Sequence, residues 1–122
     1  MEVMKVADQM NARIKRLEEL TAELDEAGEA KALAIAEYDK AYAIAMAKIG
    51  LGTVNQIEGE KLPENRPATV LGKYAAGMCF NEKCEMIKAE SAYKNLLTKI
   101  EVLEATLNAK QSINRYLSHE VK

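Results

Sequence analysis

What this sequence has little of narrows its function first. Its 122 residues hold one histidine, one phenylalanine, two cysteines, two prolines and no tryptophan. The single histidine, His119, lies three residues from the end, where a general base is poorly held. No enzyme constellation is visible, so no catalytic activity is expected. Cys79 and Cys84 have no second cysteine pair and no nearby histidine with which to complete a tetrahedral zinc site, and two cysteines make no disulfide framework. Both read as reduced, buried thiols, and no cofactor or metal is expected. Gly50 and Gly52 follow a helical stretch instead of preceding one, which reverses the geometry that aims N–H groups at a phosphate. An excess of one charge is also missing. With 17 basic and 19 acidic residues there is no global basic field, so any polyanion site must be local. No apolar run approaches the roughly 18 residues of a membrane span, and the opening Met-Glu-Val-Met-Lys lacks the charged-then-apolar order of a signal peptide. A cytoplasmic protein with no membrane contact is the expectation.

What is present is helical periodicity. Across residues 82–117, Met86, Ala89, Tyr93, Leu96, Ile100, Leu103 and Leu107 recur at alternating steps of three and four, with lysines and glutamates between them. That is the seam of a helix packed on a partner along one narrow stripe. Thirty-six residues span roughly 54 Å at 1.5 Å each, so the partner helix must be long too. Residues 2–24 supply it, with Val3, Val6, Met10, Ile14, Leu17, Leu20 and Leu24 at similar steps. Gly28, within Asp25-Glu26-Ala27-Gly28-Glu29, predicts a bend or a break with a change of phase, since glycine costs about 1 kcal/mol against alanine inside a helix. Beyond it, residues 29–49 carry eight alanines and are apolar on nearly every side. Alanine allows close backbone approach, so three or more helices should meet here, within one chain or between copies. Gly50 then reads as a helix stop.

Residues 50–67 hold three glycines and both prolines with no sustained period, which reads as a loop. Pro67 suits the first position of a short helix through Ala76, closed by Gly77, and Asn81 suits the cap of the last long helix. The expected fold is therefore all-α and a single domain over 1–122. It is an elongated antiparallel hairpin of two long helices, 2–49 and 82–117, with a loop and short helix over 50–81. Long thin helices leave much surface exposed, so the hairpin should oligomerise by helix packing.

A hairpin brings charges together. If Ile49 lies beside Glu82, Arg16 lies beside Arg115. Residues 105–118 contain Lys110 and Arg115 and no acid, while Arg13, Lys15 and Arg16 form the densest basic cluster, so the pairing gives a local basic patch with Tyr116 at its edge. A solvated helix face is the plain alternative.

The stretch Ala-Glu-Tyr-Asp-Lys-Ala-Tyr-Ala at 36–43, a variable loop, Thr69-Val70-Leu71, and Leu-Glu-Ala-Thr-Leu-Asn-Ala-Lys-Gln-Ser-Ile-Asn-Arg-Tyr-Leu at 103–117 together resemble small helical proteins of phage and prophage replication modules. Among characterised families the chain is most similar to the UvsY-like recombination mediators, over roughly residues 29–117. The resemblance implies an oligomeric helical protein of the host cytoplasm that binds single-stranded DNA and assists a recombinase. Arg13, Lys15, Arg16, Lys110 and Arg115 would then contact phosphates and Tyr116 would stack on a base. A net charge of −2 departs from the basic character of such mediators. Two other readings follow from the residues: a small phage-encoded inhibitor of a host protein, of the anti-CRISPR type, and a structural coiled-coil scaffold.

Overall fold

A computed structural model describes residues 2–63 and 67–121; residues 64–66 of the expected loop lie outside the described residues. The element order is α1 (Glu2–Gly50), β1 (Gln56–Ile57), β2 (Glu60–Lys61), α2 (Ala68–Met78) and α3 (Phe80–Val121). The two long helices α1 and α3 pack against each other with the short helix α2 between them in sequence, so the expected all-α hairpin is what the chain forms. The chain divides into two compact units, one of residues 1–28 with 92–122 and one of residues 29–91.

In the first unit the seam lies where the periodicity puts it. Leu20, Ile100 and Leu107 are buried, with Leu17, Leu24, Tyr93, Leu96 and Leu103 half-buried beside them. Each fully buried aliphatic side chain contributes about 1.5–3 kcal/mol. One position differs from expectation. Ile14 is 40% exposed and Arg13 takes the inward place. Strict alternation from Val6 through Met10 to Leu17 runs through residue 13, and the aliphatic stem of arginine packs in a seam while its head reaches the edge. Nor does the helix break near Gly28. Leu24, Ala27, Lys31, Ala34 and Tyr38 keep the same steps and are all half-buried, and α1 is continuous. Gly28 instead sets its bare Cα against the Tyr93 ring, 3.5 Å from where a Cβ would sit to Cε2.

In the second unit the core is Ala45, Ile49, Leu62, Ala75 and Cys79, surrounded by Tyr38, Tyr42, Met46, Ile57, Leu71, Tyr74 and Met78. α1 ends at Gly50 as expected, but Gly50 is not the residue that turns the chain. The N–H of Gly52 bonds to the carbonyl of Ile49 at 3.1 Å and that of Thr53 to Lys48 at 2.9 Å, the paired pattern of a Schellman cap. Its left-handed residue is Gly52, with φ +75°. The following segment is more ordered than a loop. Gln56 pairs with Lys61 and Ile57 with Glu60 in an antiparallel ladder, joined by Glu58 and Gly59, both at positive φ, as a two-residue hairpin turn requires. This hairpin lays Ile57 and Leu62 on the core. Pro67 stands at the N-cap of α2, one place before its expected position. Gly77 lies inside that helix, and only Cys79 separates α2 from α3. Its N–H is shared between the carbonyls of Ala75 and Ala76. Asn81 falls within α3, which begins at Phe80.

Candidate functional site

The basic residues singled out above fall in the unit of residues 1–28 and 92–122. Here α1 and α3 run antiparallel, with Lys110 Nζ donating to Gln9 Oε1 at 2.6 Å in a partly buried contact. In this register Arg16 shares a cavity with Leu103, and the expected pairing of Arg16 with Arg115 is not formed. Leu103 precedes Arg115 by twelve residues, about 18 Å of helix. In the unit of residues 29–91 only Cys79 separates α2 from α3, and α2 lies against the end of α1, with Leu71 beside Gly50. Lys83 at the start of α3 lies over Tyr38, its Nζ 5.0 Å from the ring centroid, and not beside Ile49.

The structure brings together a different basic group. A groove of ≈ 360 Å³ is lined by Arg13, Arg16 and Leu20 from α1 and by Thr98, Lys99, Val102, Leu103 and Thr106 from α3. A second cavity of ≈ 300 Å³, lined by Gln9, Ala12, Arg13, Arg16 and Leu103, adjoins it through three shared residues. No carboxylate lines either one. Arg13 Nε is buried and has no hydrogen-bond partner among the described residues, and an unmet buried donor is costly unless something accepts from it. Arg16 pairs with Glu19 at 3.2 Å and with Glu23 at 4.0 Å, all half-exposed. Pairs of this kind contribute at most about 1 kcal/mol and exchange readily for another anion. The hydroxyls of Thr98 and Thr106 are occupied, donating to the carbonyls of Lys94 and Val102.

Of the other expected site residues, Lys15 is exposed and lines neither cavity. Lys110 is a seam residue held by Gln9. Arg115 lines a separate shallow cavity of ≈ 170 Å³ with Asn114, Ser118 and His119. Tyr116 is 65% exposed. Lys99 is the groove residue that spacing alone missed, since the seam pattern marks it only as lying off the stripe. Treating α2 and α3 as one interrupted helix would have set Leu103 beside Arg16, one turn from Lys99.

The thiols lie in the unit of residues 29–91. Cys79 is buried and Cys84 half-buried, and both are free. Burial first, and then the charge of Glu82, push the Cys79 thiol above its ordinary range, the reverse of what a reactive thiolate needs. Among the described residues no group of three metal-ligating side chains converges, and no helix is long and apolar enough to cross a membrane. Comparison with protein-family models, curated proteins and solved structures finds no match.

Proposed function

We propose that this chain is a single-stranded DNA-binding accessory of phage recombination or replication, working as a homo-oligomer in the host cytoplasm. The observation that supports the reading is the groove where Arg13, Arg16 and Lys99 converge with no carboxylate among the lining residues. A sugar–phosphate backbone meets the exposed heads of Arg16 and Lys99 and displaces the weak pairing of Arg16 with glutamates. Tyr116, exposed on α3, gives a ring on which a base stacks, and Lys15 and Arg115 add flanking charge. Such a site tolerates any sequence, because phosphates and π-faces are common to all bases. The test is a salt-titrated binding assay with a labelled single-stranded oligonucleotide. Binding that weakens linearly in log–log form as salt rises is the expected result; absence of binding at low salt overturns the reading.

A second reading, a phage-encoded inhibitor that blocks a surface of a host protein, draws on the large apolar side chains left exposed, among them Leu33, Leu51, Phe80, Ile87 and Val102. Large apolar side chains on the surface are the material of which protein contacts are made. It moves first if the oligonucleotide assay is negative.

A further inference from the structure

In the unit of residues 29–91, α1 carries a second stripe outside its seam. Leu33 is 61% and Ile44 45% exposed, and Ala30, Glu37, Lys40 and Ala47 are exposed with them. These six positions follow one another at steps of three and four, the spacing of a helix-packing stripe. Their order is palindromic in kind: alanine, leucine and acid from one end, alanine, isoleucine and base from the other. Laid antiparallel on a second copy about a two-fold axis between Tyr38 and Asp39, the stripe sets Leu33 against Ile44, Ala30 against Ala47 and Glu37 against Lys40. At its edge it sets Glu29 against Lys48. Every pairing occurs twice, as an isologous contact demands, and no like charges are opposed. Among the described residues none of these four charged side chains is ion-paired within its own chain. Alanines at the outer pairs allow the two helices to approach closely.

We infer that this stripe is the contact between two copies of the chain. The inference rests on the homo-oligomer part of the reading above and not on nucleic-acid binding. A partner of unrelated sequence has no reason to match a pattern that is its own complement, whereas a second copy matches it at every pair. The occupant is therefore another molecule of the same protein.

Sedimentation of the full chain at micromolar concentration tests it. Wild-type protein is expected at twice 13.5 kDa. Leu33→Lys is expected to sediment as a monomer with unchanged helicity and a melting temperature that no longer depends on protein concentration, because residue 33 is exposed and a lysine there pairs with Glu29 and Glu37 of its own helix. Glu37→Lys, which places two like-charged pairs across the axis, weakens the dimer by about tenfold or more, as does Lys40→Glu. The combined variant recreates both pairs with their signs exchanged and restores the affinity. A monomeric wild type overturns both the oligomer reading and the stripe. An assembly of any size that Leu33→Lys and Glu37→Lys leave intact overturns the stripe alone.

Discussion

The hydroxyl of Tyr42 on α1 lies so close over Gly72 on α2 that a Cβ built on that glycine would sit 2.8 Å from the oxygen. Contacts that short are not tolerated by a real Cβ, so a side chain at residue 72 requires Tyr42 to shift within the packing around Ala45, Ile49, Ala75 and Cys79.

Gly72→Ala is therefore expected to destabilise the protein by about 1–3 kcal/mol through overpacking, in spite of the roughly 1 kcal/mol by which alanine favours a helix. Tyr42→Phe removes the obstructing oxygen, so the double variant should lose less than the two single losses added together. Chemical denaturation of all four proteins gives the coupling energy. Additive losses would show that the hydroxyl is not what restrains Gly72.

Gly28 behaves oppositely. Its added Cβ meets Tyr93 Cε2 at 3.5 Å and Cδ2 at 3.9 Å, ordinary van der Waals contact, inside an unbroken helix. Gly28→Ala should raise stability by up to about 1 kcal/mol, combining helix propensity with the lower entropy of the unfolded chain. A lowered melting temperature would mean that α1 needs the flexibility of Gly28.

These two glycines show what was legible from residue order. Seam membership was, because Tyr93, Leu96, Ile100, Leu103 and Leu107 obey one period and burying them dominates the local energy. Register was not. It depends on where the chain turns back, and α2 follows the hairpin of β1 and β2 and is separated from α3 by Cys79 alone. Misjudging it moved Arg115 to the side of Arg16 and hid Lys99. Arg13 and Ile14 were ambiguous because both lie within a step of the stripe, and hydrophobicity favoured the wrong one; the phase set by Met10 and Leu17 decided for arginine. The turn at Glu58 and Gly59 went unread because glutamate is an uncommon residue at positive φ, where asparagine or aspartate gives the usual signal.

Alkaline pH should expose the second core. Burial raises the pKa of Cys79 above its ordinary 9.0 and that of Tyr38 above 10.0; for Tyr38 the charges of Cys79, Tyr42 and Asp39 add to burial. Both groups are neutral when protonated, so the folded chain holds protons that the unfolded chain releases. Their stabilisation is complete below pH 9, and it is lost as pH rises through the elevated folded values. Thermal melts between pH 8 and 11 should show a falling melting temperature, with a shallower fall in Cys79→Ala. An unchanged slope in that variant would remove the thiol as a cause.

Charge in the groove and charge in the seam can be told apart by kinds of response. Each phosphate neutralised on a single strand contributes about −0.7 to the slope of log affinity against log salt. Arg16→Ala combined with Lys99→Ala should flatten that slope by roughly 1.4 while leaving the fold intact, since Arg16 and Lys99 are exposed. Tyr116→Ala should weaken binding by about 1–3 kcal/mol with the slope unaltered, because stacking releases no counterions. Lys110→Ala should act on stability instead. It leaves Gln9 Oε1 without the donor that meets it at 2.6 Å, a loss of about 1 kcal/mol, and lowers the melting temperature. If the Arg16 and Lys99 pair changes nothing in the salt slope while Lys110→Ala flattens it, the binding surface lies along the C-terminal part of α3 and not in the groove.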